Sequence, residues 1–323
     1  MRALVCEHHG PPEDLVVVDL AIPDPQPGQV LVRVAAAAVN FPDVLVVANQ
    51  YQLSVPTPFT PGSEFSGVVA AVGDGVDSFA IGDPVFGAVL AGAFAEYVVV
   101  AADALRRIPA GVDVVTAAGF WVAHATAYHA LRSVAEVAPG NVVVVLGAAG
   151  GVGLAAVEIA IALGATVIAA ASSAAKLALC RERGAQFTID YTTEDLRDAI
   201  RAAVPEGADV VIDPVGGAFS ERALRAMRWG GRFVSVGFAS GEIPRIPLNL
   251  LLLKGVIVKG FEIRTFGHFA PEQTERDEAE LMDLFATGQL RPHVSASHSL
   301  EDAAVALREV ADRRSTGKVL IIP

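Results

Sequence analysis

A cluster of glycines follows an unbroken run of valines near the middle of the chain. The run is Val142–Leu146, and Gly147, Gly150, Gly151 and Gly153 come directly after it. Because glycine has no Cβ, the backbone of such a turn can approach a pyrophosphate closely, and the amides that open the next helix face the phosphates. The order of strand, glycine turn and helix therefore predicts a dinucleotide-binding unit.

The glycine turn departs in one position from the usual pattern of such sites. Residues 148–153 read AAGGVG, so an alanine stands where the first glycine is expected. We expect Gly147 to make the tight turn instead. The backbone predicted to bind the cofactor is that of Gly150, Gly151, Val152 and Gly153.

Two hydroxyls and one ammonium follow the next predicted strand, Thr166–Ala170. An NAD site usually has an acidic residue about 20 positions after the turn, bonded to the ribose 2′-hydroxyl. No acid occurs there; the residues are Ser172, Ser173 and Lys176. Their donors and positive charge suit a 2′-phosphate and favour NADPH over NADH. A second interpretation, compatible with the first, is that the serines cap the next helix.

Composition narrows the class of protein. The chain has 323 residues, 53% of them hydrophobic, and a net charge of −12, which argues against nucleic acid or an anionic membrane as the main partner. Its two cysteines form no CxxC motif, and the polar N-terminus does not resemble a signal peptide. The apolar stretch 141–171 has the length of a membrane span, but the glycine cluster interrupts it. We expect a cytoplasmic protein with two domains.

The chain changes character near residue 120. Before it, short β-type runs alternate with Pro and Gly clusters, which predicts an irregular, barrel-like β domain. After it, strands alternate with helices, as in a parallel α/β sheet. The predicted strands are Val142–Leu146, Thr166–Ala170, Phe187–Asp190, Asp209–Asp213, Arg232–Val236 and Val256–Phe261. Helices are predicted over Pro271–Thr287 and Leu300–Arg313, and a last strand over Lys318–Ile322.

Seven short motifs spread over the chain carry a resemblance to a known family. They are Asn40-Phe41-Pro42-Asp43, Pro61-Gly62-Ser63-Glu64-Phe65-Ser66-Gly67, Gly82-Asp83-Pro84-Val85, Thr126-Ala127-Tyr128-His129-Ala130-Leu131, the AAGGVG turn, Asp213-Pro214-Val215-Gly216-Gly217 and Gly317-Lys318-Val319. In these motifs the chain resembles the zinc-independent quinone oxidoreductases of the medium-chain dehydrogenase/reductase superfamily.

The resemblance implies an α/β fold: a Rossmann doubly wound parallel sheet plus a GroES-like β-barrel catalytic domain. It places residues 1–120 and 262–323 in the GroES-like domain and 121–261 in the Rossmann domain, with the nicotinamide in a cleft between them. It implies NADPH-dependent reduction of quinones or activated alkenes. It also implies a homodimer in which Val256–Phe261 extends the sheet across the two-fold axis.

The resemblance also indicates how this chain differs from the zinc alcohol dehydrogenases. Those enzymes bind their catalytic zinc through a Cys and a Gly-His-Glu motif, where this chain has Asn40 and Gly62-Ser63-Glu64. A quinone or enone is already electrophilic and takes hydride without a Lewis acid, unlike an ordinary alcohol–aldehyde couple. The seven histidines show no metal-ligand spacing either. We therefore expect no metal site.

Three residues are candidates for catalysis. By the resemblance, Asn40 and Asp43 lie at the nicotinamide end of the cleft, where Asn40 would bond a substrate oxygen and stabilise the developing anion. The alternative is that they only form a turn before a helix, with Asp43 in its first turn. Tyr51 is a candidate proton donor, and packing at a rim or protonation by solvent are the alternatives.

Five further residues are candidates for contact with the cofactor. Thr126 would do so from a helix start and Tyr191 beside the adenosine phosphate. Gly237 and Phe238, at a strand end, would line the nicotinamide pocket. Lys318 would reach the cofactor unless it is a solvated lysine at a strand edge.

Two other functions remain open at this point. An enoyl-thioester reductase is a close alternative, although no basic cluster for a CoA phosphate is evident in the sequence. A non-catalytic NADPH-binding protein is the other.

Overall fold

The computed structural model describes residues 1–323. The strands are β1 (Arg2–Val5), β2 (Val16–Asp19), β3 (Gln29–Val39), β4 (Glu64–Val72), β5 (Pro84–Ala88), β6 (Tyr97–Ala101), β7 (Leu105–Arg107), β8 (Val142–Leu146), β9 (Thr166–Ala171), β10 (Phe187–Asp190), β11 (Ala208–Asp213), β12 (Met227–Ser235), β13 (Ile257–Gly260), β14 (Val294–Ser299) and β15 (Lys318–Ile322). The α-helices are α1 (Phe41–Val47), α2 (Val114–Ala117), α3 (Trp121–His129), α4 (Gly151–Ala162), α5 (Ala174–Glu182), α6 (Leu196–Ala203), α7 (Ala218–Ala226), α8 (Leu248–Lys254), α9 (Ile263–Phe269), α10 (Pro271–Ala286) and α11 (Ala303–Ala311).

The chain folds into two compact units, Met1–Val122 with Arg291–Pro323, and Ala123–Leu290. No helix combines the length and the apolar character that crossing a bilayer requires.

The first unit is built on a seven-stranded sheet. Its strands run in the order β14-β15-β3-β4-β5-β7, with β6 also paired to β3. One face of β3 packs in a core that includes Val39, Phe65 and Ile321. The other face is lined by Ala36 and Ala38, small residues that let α2 lie close to the sheet. The last strand of the chain joins this sheet, since β15 pairs with β3.

The second unit is a six-stranded sheet with the order β10-β9-β8-β11-β12-β13, and all its strand pairs are parallel. Numbered within the unit, this order is 3-2-1-4-5-6, that of a doubly wound dinucleotide-binding fold. β8 and β11 are fully or almost fully buried, as expected of strands covered on both faces. The predicted fold class is therefore confirmed.

One boundary differs from the sequence analysis. Residues 262–290 were predicted to join the first domain, but they lie in the second unit. The physical reason is a buried acid on α10: the Asp277 carboxylate lies 3.0 Å from His129 Nδ1 and accepts a hydrogen bond from Ser133 Oγ at 2.6 Å. A fully buried Asp must be hydrogen-bonded, and its partners belong to the segment that follows α3 and to α3 itself.

Candidate functional site

The glycine turn after β8 has the geometry of a phosphate-binding loop. Gly147 has a φ of +58°, so the tight turn is made one residue earlier than in the usual pattern. A Cβ on Gly153 would overlap the carbonyl oxygen of Gly147, so glycine there lets α4 pack against the turn. Gly150 precedes the first residue of α4, with an ordinary φ of −77°. The first amides of α4 thus stand where an anion is favoured.

The end of β9 brings together the residues proposed to recognise a 2′-phosphate. Lys176 Nζ lies 3.5 Å from Ser172 Oγ. Ser173 caps α5, because its hydroxyl accepts a hydrogen bond from the Lys176 amide at 3.4 Å. The capping interpretation therefore holds for Ser173, while Ser172 and Lys176 form a hydroxyl–ammonium pair. The carboxyl end of β9 is next to that of β8, where the glycine turn begins.

Other predicted cofactor residues stand at carboxyl ends of neighbouring strands in the same sheet. Tyr191 follows β10 and donates its amide to Ala171 O at 3.2 Å, and its ring packs against Phe219 with centroids 4.4 Å apart and the planes tilted by 43°. Gly237 and Phe238 follow β12, and Phe238 is exposed. Ligands of doubly wound folds bind beyond this edge of the sheet, at the point where the strand order reverses.

Thr126 does not stand at a helix start, contrary to the expectation. It is half-buried in the interior of α3, which already begins at Trp121. Its hydroxyl therefore does not lie beside the free amides of the first helical turn. Its contact with the cofactor stays a prediction.

The first unit contains a buried cluster of polar side chains at the ends of three strands. Asn40 follows β3, Glu64 opens β4, and Lys318 opens β15. Lys318 Nζ donates to Asn40 Oδ1 at 2.5 Å and to Glu64 Oε2 at 2.9 Å. Asn40 Nδ2 in turn donates to Glu64 Oε2 at 3.1 Å. The cluster thus pairs one ammonium with one carboxylate and places a carboxamide between them.

A second carboxylate supports Asn40 from behind. Asp43, in the first turn of α1, accepts a hydrogen bond from the backbone amide of Asn40 at 2.7 Å. Burial raises the pKa of Asp43 to about 6, although the hydrogen bonds from Ser63 and from Asn40 and the charge of Lys318 act in the opposite direction. The turn-and-helix interpretation of Asn40 and Asp43 is therefore correct as local structure. It uses the backbone amide of Asn40 and does not involve the side-chain amide.

Comparison with known proteins decides the family. Residues 26–110 match the family described as alcohol dehydrogenase GroES-like domain, and residues 151–286 match the family described as zinc-binding dehydrogenase. Quinone oxidoreductase-like protein 2 of Mus musculus is 38% identical over 322 residues, which cover 99% of this chain and 91% of the mouse protein. The chain belongs to the quinone oxidoreductase-like family of the medium-chain dehydrogenase/reductase superfamily.

A solved structure and a further relative are also similar to this chain over most of its length. The crystal structure of Escherichia coli quinone oxidoreductase complexed with NADPH is 30% identical, covers 100% of both chains and has a TM-score of 0.92. The synaptic vesicle membrane protein VAT-1 homolog of Homo sapiens is 31% identical, over 94% of this chain and 81% of the human protein. The resemblance stated from the sequence motifs is thus confirmed.

The structure contains no group of three or more His, Cys, Asp or Glu side chains that could hold a metal ion. Asn40, Ser63 and Glu64 stand at the positions that the resemblance compares with the zinc ligands of alcohol dehydrogenases. The cation beside them is the ammonium of Lys318. The alternative interpretation of Lys318 as a solvated strand-edge lysine is wrong, because strands β14 and β3 flank β15 and the side chain is buried. Its contact with a cofactor stays a prediction.

Two acidic residues, one in each unit, are not among the residues predicted from the sequence to be functional. The Glu64 carboxylate accepts a hydrogen bond from the Val122 amide at 2.8 Å in addition to its bonds within the cluster. Asp213, at the end of β11, accepts from the amides of Val215 and Gly216 at 2.8 Å each and so shapes the turn beside β8. The available signal was an acidic residue at the end of an otherwise apolar strand, which burial makes costly unless it is bonded.

The buried carboxyl of Asp43 should give the protein a measurable pH dependence. Its folded pKa of about 6 lies above the unfolded value, so its contribution to stability is fully present below about pH 4 and is lost as the pH rises through about 6. The resulting decline in the free energy of unfolding is at most about 1.4 kcal/mol per pH unit, and it should be absent in Asp43→Asn. Urea unfolding across this pH range measures it, with exposed Asp103→Asn as the control. An unchanged decline in Asp43→Asn would contradict the prediction.

Proposed function

We propose that this chain is a cytoplasmic, NADPH-dependent reductase that transfers hydride to quinones or to the β-carbon of α,β-unsaturated carbonyls without a metal. The observation that carries the proposal is that two features lie at the same edge of the second unit's sheet. One is the glycine turn, and the other is the pair Ser172 and Lys176, which stands where an NAD site has an acid. The NADPH complex of the Escherichia coli relative supports the same cofactor.

The residues present fit a dinucleotide. The amides of Gly151, Val152 and Gly153 open α4 and would hold the pyrophosphate, with Gly150 leaving room for its approach. Ser172, Ser173 and Lys176 would hold the 2′-phosphate. When bound, NADPH would supply the hydride that the acceptor receives.

The buried cluster of the first unit supplies what the acceptor needs. An oxygen of a quinone or enone gains negative charge as the carbon skeleton takes hydride, and a fixed N–H donor stabilises that charge. We assign this role to Asn40 Nδ2, which keeps one firm partner at 3.1 Å and two weaker contacts at 3.4 Å. We assign the later proton donation to Tyr51, which lies after α1 in the same unit.

The test is NADPH oxidation measured against quinones, enones and enoyl-CoA esters, with NADH as the control nucleotide. We expect turnover of quinones or enones. Turnover of the thioesters alone would establish the enoyl-thioester alternative instead. Tight NADPH binding with no turnover of any acceptor would establish a non-catalytic binding protein.

Tyr51→Phe tests the proton donor in the same assay. General acid catalysis typically contributes about 10²- to 10⁴-fold, so we expect kcat to fall by about 100-fold with little change in NADPH affinity. Tyr97→Phe, on β6 of the same unit, is the matched control. An unchanged kcat in Tyr51→Phe would assign the proton to solvent.

We further propose that the functional assembly is a homodimer joined through the second unit. β13 is an edge strand of its sheet, and Ile257 and Val258 on it are exposed. Leu252 on α8 is 83% exposed and Trp229 on β12 is 78% exposed. An open strand edge presents unpaired N–H and C=O groups to another strand, and exposed apolar side chains of this kind mark an interaction surface. A second copy of β13 satisfies the open edge.

The dimer is tested by Val258→Lys combined with Leu252→Lys. We expect light scattering after size exclusion to give twice the 33.5 kDa chain mass for the unmodified protein and the single mass for this variant. Ile81→Lys places the same residue at an exposed apolar position of the first unit and should leave the mass unchanged. A single mass for the unmodified protein would refute the proposal.

A further inference from the structure

Lys318 carries a buried charge that its surroundings are built to hold. Its side chain is 4% exposed, and its ammonium pairs with Glu64, whose side chain is 1% exposed. Burying an ion pair is unfavourable unless both charges are hydrogen-bonded. Glu64 meets this condition with bonds from Lys318, Asn40 and the Val122 amide.

Strand register brings the three side chains to one face of the sheet. Leu320 of β15 is opposite Ala38 of β3, and Ala38 is opposite Glu64 of β4. Side chains two residues apart on a strand share a face, so Lys318 and Asn40 lie on the same face as Glu64. The arrangement thus follows from the pairing of β15, β3 and β4 and needs no loop rearrangement.

Small residues leave the space that the lysine side chain occupies. Ala36 and Ala38 are fully buried on this face. A Cβ on Gly119 would lie 3.1 Å from Lys318 Cγ and 3.2 Å from its Cβ, closer than ordinary packing allows. The glycine thus lets the segment before α3 pack closely over the aliphatic part of Lys318.

The pair of charges fixes which way the Asn40 amide faces. Lys318 can only donate, so it must meet Oδ1 of Asn40; the Glu64 carboxylate can only accept from Asn40, so it must meet Nδ2. The opposite orientation would place the amide N–H groups against the ammonium and the amide oxygen against the carboxylate. Asn40 Nδ2 donates to Glu64 at 3.1 Å and, over a longer 3.4 Å, to Ala38 O and Ser63 Oγ. The long contacts are the ones that a substrate oxygen would replace.

We propose that Lys318 is a positioning residue, which locks the carboxamide of Asn40 so that it presents an N–H and never an oxygen to the reacting oxygen of the substrate. The inference rests on the proposed function, because it gives Asn40 the role of stabilising the anion formed there. Lys318 acts through Asn40 and not through its own charge, since Glu64 neutralises that charge at 2.9 Å.

A double-mutant cycle measures whether Lys318 acts through Asn40. We expect Lys318→Met and Asn40→Ala each to lower kcat about 100-fold, the lower end of the range known for loss of an anion-stabilising donor, and the combined variant to be no worse than Asn40→Ala. NADPH affinity, measured by calorimetry, should change less than about twofold in all three. Lys254→Met, whose Nζ donates to the Met227 carbonyl on the second unit, is the matched control.

A double variant that removes both charges together guards the test against misfolding. Lys318→Met leaves Glu64 unpaired in the interior, so Lys318→Gln with Glu64→Gln is made as well. The glutamine amides can face Asn40 with either oxygen or nitrogen, so this folded variant should also lose kcat. A wild-type kcat in it, additive losses in the double-mutant cycle, or a loss confined to NADPH affinity would each overturn the inference.

A second measurement keeps the inference separate from the proposed function. The side-chain NH₂ of Asn40, identified in ¹⁵N spectra by its absence in Asn40→Ala, should exchange with solvent more than about tenfold faster in the double glutamine variant than in the unmodified protein. An unchanged exchange rate would overturn the positioning role. If the unmodified protein reduces no acceptor at all, the proposed function fails, and this exchange rate alone decides the role of Lys318.

Discussion

Replacing Gly150 with alanine should weaken NADPH binding about 100-fold, equivalent to about 3 kcal/mol, and leave the fold intact. The protein itself does not require glycine at this position. Its φ of −77° is accessible to any residue, and a Cβ there would meet only the Gly147 carbonyl oxygen, at the ordinary distance of 3.4 Å. If the backbone of the turn touches a pyrophosphate, the added methyl group occupies the space that the ligand needs.

Gly153 supplies the contrast that makes this prediction sharp. A Cβ at Gly153 would overlap the backbone of Gly147 and of Ala148, and backbone atoms cannot move aside as a side chain can. Gly153→Ala should therefore lower the free energy of unfolding by about 1–3 kcal/mol, as at other overpacked sites. It should also lower NADPH affinity. Gly150→Ala should lower affinity alone.

Calorimetric titration with NADPH and urea unfolding without it measure the two effects separately. Gly140→Ala lies outside the turn but has a φ of +83°, so it controls for the effect of a strained alanine on stability alone. If Gly150→Ala bound NADPH as tightly as the unmodified protein, the turn would not contact the pyrophosphate, and the proposed cofactor site would be lost.

The sequence was most informative where one strand carries its own signal. Val142–Leu146, Phe187–Asp190 and Lys318–Ile322 have the predicted bounds, because each is an apolar or β-branched run that ends at a turn residue. β12 is longer than predicted and begins at Met227. Its first half contains two glycines, Gly230 and Gly231, which the strand pattern does not favour.

Contacts between distant parts of the chain were beyond the reach of these patterns. Lys318 and Glu64 are 254 positions apart, and nothing in the spacing of either residue shows that they pair. The helix over residues 271–287 was predicted correctly as a helix, but periodicity does not tell which unit it packs against. That choice depends on Asp277, which resembles a surface acid in the sequence and is fully buried.

Ser172→Asp combined with Lys176→Met should reverse the nucleotide preference and move the ratio of NADPH to NADH affinity by about 1,000-fold. The aspartate brings a carboxylate to the end of β9, where it would repel a 2′-phosphate and accept a hydrogen bond from a 2′-hydroxyl. The methionine removes the ammonium that lies 3.5 Å from Ser172 Oγ and keeps most of the length of the side chain. Both changes disfavour NADPH, and only the first acts on NADH.

Dissociation constants for both nucleotides, measured for the two single variants and for the pair, separate the contributions. Ser172→Asp alone should leave the new carboxylate paired with Lys176 and give the smaller change, because the ammonium still offsets its charge. Ser78→Asp adds the same charge at an exposed serine of the first unit and should leave both affinities unchanged, which excludes a general effect of the net charge of −12.

An equal loss for NADPH and NADH would mean that these residues shape the pocket without recognising the phosphate. An unchanged ratio would contradict the choice of NADPH itself, since that choice depends on these side chains standing where an NAD site has its acid.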